Sequence, residues 1–448
     1  MANNNFHNGN NFSNISSTTF NTNTSHPLIP SSQEYIFYKK YVSSHSEDRN
    51  VIKFPNPAEF EIEIPEDLLN VSALRLISWS FPANYNTFSS LNNNVTLTFR
   101  INNPYNPNIN GVAVLLYEKI FEYLFLYQEN YYEIIIENGF YNPQQMVNEL
   151  TNKINFSVTT NLTSYFTTQS TNSSLSVVQQ EEYIVALNEL NNIGGYNNFI
   201  VVYNNVSQKI WFGNTCDQFI LTNETQLVKN KERDNLYCNS IKEQVSDFSD
   251  WGLPGNLGLS RCDTNSSNEV NISNISNIVM YNGINVPRFF YGDINSLDNG
   301  YWLLPNSILT NSNVYWIECP YKINLMGPGF MYMEIAGQNC IDETSPFNIS
   351  KFTLETNSTN GTVNSAFAKI AIPSTPLSQW FDRDSLPYKF YYPPAERMRR
   401  FYIKLRYHNG QTVNFGVFNY SFVLEFTLQM PQILRSSNSI VYPPTFNN

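Results

Sequence analysis

Between Arg399 and Met430 apolar and polar residues alternate with a period of two, and that pattern confines this part of the chain to β-structure. Phe401, Ile403, Leu405 and Tyr407 take the odd positions, and Arg400, Tyr402, Lys404, Arg406 and His408 the even ones. Such alternation describes a strand with one face buried, and its other face here is basic. Asn409-Gly410 follows, two residues that accept positive φ, and predicts a hairpin. The return strand sets Val413, Phe415 and Val417 on one side. After Asn419 the phase slips by one, and Tyr420, Phe422, Leu424, Phe426 and Leu428 become the apolar set. A slip of one residue predicts a bulge or corner, as a closed sandwich requires.

The same logic extends towards the N-terminus. Ala58, Phe60, Ile62 and Ile64 alternate with Glu59, Glu61 and Glu63, which gives a strand with an acidic outer face. Pro65-Glu66-Asp67 is expected to break it. Val71–Phe81 is apolar on both parities and predicts a central strand covered on both sides; Val95–Ile101 is the next strand. Residues 112–127 have helical spacing, 131–137 are a strand, and Asn142-Pro143 predicts a helix start, with Met146, Val147 and Leu150 on its inner face. Hairpins are expected at 199–221, turning at Asn204-Asn205, and at 314–336. Residues 222–280 are polar and carry no clear pattern, and no repeat of fixed period occurs.

Composition excludes several classes. The chain has 448 residues, of which 42% are hydrophobic, 15% aromatic and 14% charged. That supports a sizeable core and is unlike disordered-protein chemistry, which combines high charge with few aromatics. A net charge of −11 argues against general nucleic-acid binding. Five widely spaced cysteines (Cys216, Cys238, Cys262, Cys319 and Cys340) contain no CxxC pair, so neither a zinc site nor a disulfide framework is expected. Residues 1–30 lack the apolar core of a signal peptide, and no run of 18 apolar residues predicts a membrane span.

Chemistry-bearing motifs are sparse. Four histidines (His7, His26, His45 and His408) have no triad-like neighbours, and no phosphate loop, HExxH or GxSxG pattern occurs. Gly327-Pro328-Gly329 is expected to be a turn. Acidic pairs beside tryptophan, Asp382/Asp384 at Trp380 and Asp247/Asp250 at Trp251, are the best positions for a glycosidase, but a hydrolase needs two carboxyls facing across a cleft. No catalytic, metal or cofactor residue is assigned, and no enzymatic activity is expected.

The segment Phe54-Pro55-Asn56-Pro57-Ala58-Glu59-Phe60, with Asn70–Pro82, resembles minor capsid proteins of nucleocytoplasmic large DNA viruses. So do Tyr392-Pro393-Pro394-Ala395-Glu396-Arg397 with the strands after it, and Gly139-Phe140-Tyr141 entering a short helix before the 201–212 hairpin. The likeness is clearest over 50–110 and 320–431. It implies a jelly-roll-type antiparallel β-sandwich, one or two, with a small α+β insertion. It also implies a virion component made in host cytoplasm, partnered by the major capsid protein and other minor capsid proteins.

Combining both readings, residues 1–33 are a flexible N-terminal arm and 34–110 the first sandwich strands. Residues 111–260 are an α+β insertion or second β domain, 261–435 complete the jelly roll, and 436–448 are a tail. The expected function is structural: bonding capsomers through a rigid β body and the arm, with self-association allowed. A surface glycan- or receptor-binding virion protein is the first alternative and a β-sandwich glycoside hydrolase the second. Expected interface residues are Phe6, Phe12 and Phe20 in the arm, the acidic Glu59, Glu61 and Glu63, and the basic Arg400, Lys404 and Arg406. The two charged faces would meet on different subunits, setting partner choice more than affinity.

Overall fold

The computed structural model describes residues 35–82, 86–102, 114–222, 252–269, 277–290, 297–309, 312–344, 364–372, 379–382, 389–408 and 410–431. Strands run as β1 (Tyr35–His45), β2 (Glu59–Pro82), β3 (Thr96–Ile101), β4 (Tyr132–Ile135), β5 (Phe199–Asn204), β6 (Lys209–Asn214) and β7 (Phe219–Thr222). They continue as β8 (Thr264–Asn265), β9 (Ile278–Tyr281), β10 (Ile284–Pro287), β11 (Tyr315–Glu318), β12 (Phe330–Ile335), β13 (Ile341–Asp342) and β14 (Ser365–Ala366). The last are β15 (Ala368–Ala371), β16 (Gln379–Asp382), β17 (Lys389–Arg406) and β18 (Ser421–Pro431). The longer helices are α1 (Leu115–Leu126), α2 (Pro143–Ser170) and α3 (Val177–Asn192). The chain divides into two compact units: 1–84, 330–344 and 363–448 form the first, 85–329 and 345–362 the second.

The first unit is built on a seven-stranded antiparallel sheet of order β1-β18-β2-β17-β12-β15, with β16 also on β2. The chain's beginning pairs with its end, β1 with β18 and β2 with β17, the nested connectivity on which jelly-roll-type sheets are wound. One face carries the core: Phe60, Leu74 and Leu76 from β2, Phe401, Ile403 and Leu405 from β17, Phe422, Leu424 and Phe426 from β18, and Met331 and Met333 from β12. The alternation read from the sequence therefore chose the buried face correctly on β2, β17 and β18.

Two expectations for these strands give way to pairing. β17 and β18 flank β2 and do not form a hairpin with each other. The turn before residue 411 supports one rung, Arg406 opposite Thr412, with Val413 N–H donating to Leu405 O at 3.0 Å. The chain then leaves the sheet, so Val413 and Phe415 are buried while Val417 is exposed. Gly410 has φ +82; Asn409 lies outside the described residues. Likewise Pro65-Glu66-Asp67 does not end β2. Register moves from Glu63 opposite Arg400 to Leu68 opposite Met398, so the four residues between are absorbed in a bulge. A second bulge holds Tyr391–Pro394, with a cis Tyr392–Pro393 bond.

The second unit contains the sheets β11-β6-β5 and β4-β3-β7-β8, the β9–β10 hairpin and the three helices. The mainly β class and its α+β portion are thus both as expected. Asn142 caps α2 as predicted: its side chain accepts from Gln145 N–H at 2.8 Å, and the Gln145 side chain accepts from Asn142 N–H at 3.0 Å. Met146, Val147, Leu150, Ile154, Val158, Leu162 and Phe166 then form one buried stripe. Helix α3 was not anticipated, although Ser176 and Gln179 make the same capping box. The 199–214 hairpin is present as β5–β6, but the one expected at 314–336 is not: β11 pairs with β6, whereas β12 pairs with β15 and β17.

Candidate assembly surface

The outer face of the first unit's sheet gathers most of the charged residues singled out in the sequence. Glu59 lies opposite Lys404, Glu61 opposite Tyr402 and Glu63 opposite Arg400. The acidic and basic faces are therefore neighbours on adjacent strands of one sheet. Tyr402 OH donates to Glu59, and this bond, with burial, pushes the phenol up to about 12. Lys53 Nζ sits 3.1 Å from Glu61, and Glu63 takes both Arg399 and Arg400. These groups are largely exposed, so each pair contributes at most about 1 kcal/mol. Their chief effect is on register, since a slip of one residue would set the carboxylates opposite the apolar Phe401, Ile403 and Leu405.

Arg406 departs from this pattern. Parity places it outward with Arg400 and Lys404, yet its side chain is only 3% exposed. The β13–β14 pair closes over it: Arg406 Nη2 donates to Glu343 at 2.6 Å and to Ser365 O at 3.4 Å, and Nε donates to Glu334. Its guanidinium lies 5.0 Å from the Tyr332 ring centroid. Burial alone would lower the guanidinium, but Glu343 and Glu334 outweigh it and hold it above its ordinary value. His408 Nδ1 approaches the other Glu343 oxygen at 2.8 Å. Arg406 is thus the centre of an internal network. A second network crosses three strands: buried Glu425 of β18 accepts Arg75 of β2 at 3.0 and 3.3 Å and Lys39 of β1 at 3.3 Å.

One exposed apolar surface of this unit was not identified from the sequence. Strand β1 forms one rim of the sheet, eleven residues long, and its N-terminal half is open on both faces. Phe37 and Tyr41, on the Glu425 side, are 48% and 57% exposed; Ile36, on the other, is 51% exposed. Tyr38 and the adjoining Met430 of β18 are exposed as well. Both lysines of this strand are engaged, Lys39 with Glu425 and Lys40 with Glu66. A run of aromatic and branched residues followed by Lys-Lys is the sequence signal that could have found this edge. Leu69, Phe390 and Tyr392, at or near the second bulge, are also exposed.

Phe6, Phe12 and Phe20 lie outside the described residues, as do His7, His26, Cys238, Trp251, Asp247, Asp250 and Asp384. The described tryptophans with placed side chains, Trp79, Trp211, Trp302 and Trp316, are buried. Cys216, Cys319 and Cys340 are free thiols. Among the described residues no group of three His, Cys, Asp or Glu is arranged to hold a metal ion, and no helix is long and apolar enough to cross a membrane.

In the second unit Asp217 is fully buried. Its carboxylate accepts Tyr196 OH at 2.5 Å and the Cys216 thiol at 3.4 Å. Burial pushes its pKa up to about 6 against the pull of the hydrogen bonds from Tyr196, Cys216 and Asn198.

No known protein family matches this chain, and no curated protein does. Among solved structures it is similar to the selenomethionine-labelled mavirus penton protein, at 8% identity and a TM-score of 0.34, over 88% of this chain and 99% of that one. It is also similar to the Sputnik virophage structure at 3.5 Å by cryo-EM, at 10% identity and a TM-score of 0.33, over 88% and 98%. Both alignments run nearly end to end, at TM-scores below the level at which a common topology follows.

Proposed function

We propose that this chain is a non-enzymatic structural component of a viral capsid: a minor capsid protein of a large icosahedral DNA virus, assembled in host cytoplasm, that bonds neighbouring capsomers. The observation that carries the reading is the β1 rim. An eleven-residue strand whose outer side no described strand pairs, with apolar side chains exposed on both faces, is a template for β-augmentation by another chain. Isolated proteins protect such edges with charge, yet both lysines of β1 are engaged within the unit. The sheet behind it, held in register by cross-strand ion pairs, supplies a rigid platform. The resemblance of residues 54–60, 70–82 and 392–397 to minor capsid proteins supports the same reading. In this proposal residues 1–33, which lead directly into β1, act as the arm, with Phe6, Phe12 and Phe20 as its anchors.

Quantitative mass spectrometry of purified, protease-treated particles tests it. A fixed ratio of this chain to the major capsid protein that survives protease is expected. Removal by protease, or absence, refutes the reading. Residues 1–33 are expected to be cleaved in free protein and protected in particles; equal cleavage in both refutes the role of the arm.

A further inference from the structure

We infer that two copies of this chain join edge to edge through β1, antiparallel, about a two-fold axis at Tyr38. The inference rests on the reading of β1 as an assembly edge and adds its partner and register. The first argument is length. Among the described strands that end a sheet no other exceeds six residues, and the six-residue β5 has its outer backbone groups held by side chains of α2; the part of β17 that pairs with β2 alone is broken by the second bulge. Seven residues of this edge, Tyr35–Tyr41, find equals in β1 of a second copy.

The second argument is charge and side-chain pairing. In an antiparallel pair centred on Tyr38, Phe37 of each copy lies opposite Lys39 of the other, Ile36 opposite Lys40, and Tyr38 opposite itself. Opposite residues share a face in such a pair. Centring it on Lys39 or Lys40, or between them, sets lysine against lysine, which is destabilising. The chosen register instead brings an ammonium to an aromatic ring. The third argument is coverage. Ile36, Phe37, Tyr38 and Tyr41, the exposed apolar residues of β1, all fall within the stretch this register pairs, whereas Ser44 beyond it is buried. An isologous pairing of this kind closes on itself and gives a dimer, not a fibre.

Sedimentation of the full chain across concentrations, with two variants at one position, tests partner and register together. Wild type is expected to dimerise. Phe37→Lys, which sets lysine against Lys39, is expected to be monomeric, while Phe37→Glu, which sets a carboxylate there, is expected to stay dimeric. Unchanged circular dichroism and melting temperature check that both variants fold. Tyr38→Cys is expected to give a disulfide-linked dimer on oxidation that wild type, with its own cysteines, does not give. A wild-type monomer at all concentrations, equal behaviour of the two charge variants, or no cross-link at position 38 overturns the inference. A monomer that still copurifies with shells refutes this pairing alone; a dimer absent from shells refutes the capsid reading alone.

Discussion

Strands β5 and β1 each lie at the rim of a sheet, and each turns a row of N–H and C=O groups outward. Along β5 helix α2 meets that row. Asn155 donates to Phe199 O at 2.9 Å and accepts from Phe199 N–H at 3.0 Å, and Thr151 accepts from Val201 N–H at 3.0 Å. Thr159 accepts from Tyr196 N–H at 2.9 Å just before the strand. These residues recur every four positions, one face of the helix, directly beside the apolar stripe that buries Leu150, Ile154 and Val158. Along β1 no described element does the same, and its apolar side chains stay half-exposed. One edge is closed by α2, and along the other no described element meets the outward row.

Substitutions separate the closed, self-satisfied regions from the open one. The largest effect is expected at Arg406, whose removal strands Glu343 in a site where that side chain is 5% exposed. Arg406→Met is expected to cost about 3–5 kcal/mol by denaturant unfolding. A loss below about 1 kcal/mol would mean the network is solvated and dispensable. Next is Asn155→Leu, which orphans both backbone groups of Phe199. About 2–3 kcal/mol is expected, with faster amide exchange along β5. Phe37→Ser on β1 is expected to leave unfolding within about 0.5 kcal/mol while weakening assembly. If the two rims respond alike, the contrast between them fails.

Asp217 adds a pH signature to the closed region. Its folded pKa, about 6, is above the ordinary carboxylate value, so the folded state holds its proton longer than the unfolded chain does. The site is therefore most favourable below about pH 4 and loses stability as pH rises towards 6. The change amounts to at most about 3 kcal/mol over the shift. Asp217→Asn is expected to remove that slope from the difference between variant and wild-type melting curves. An unchanged slope would mean the carboxyl titrates normally. The smallest effect is expected on the outer face of the first unit's sheet. Glu63→Gln, with its pairs to Arg399 and Arg400 exposed, should cost about 0–1 kcal/mol and less at high salt.

Much of the first unit was legible residue by residue. Alternation identified the buried faces of β2, β17 and β18, and Asn142-Pro143 located the start of α2 in the second unit, because these signals are local. The Ser176–Gln179 box at α3 was equally local and could have been read. The candidate surface was less accessible. The exposure of β1 depends on its being last in strand order, and no local pattern states which strand that is.

What the sequence determined by itself, then, is which side of each strand and helix avoids water, since side-chain period and backbone geometry fix that within a few residues. The tertiary structure decided what each polar face meets. Glu59, Glu61 and Glu63 oppose Lys404, Tyr402 and Arg400 through a register between segments over 330 residues apart along the chain. Arg406 is buried because Glu334, Glu343 and Ser365 come over it from other strands and loops. Pro65–Asp67 remains within β2 because the sheet absorbs it as a bulge. Each outcome is set by non-local pairing, whose free energy depends on all the strands at once and is written in no single stretch of residues.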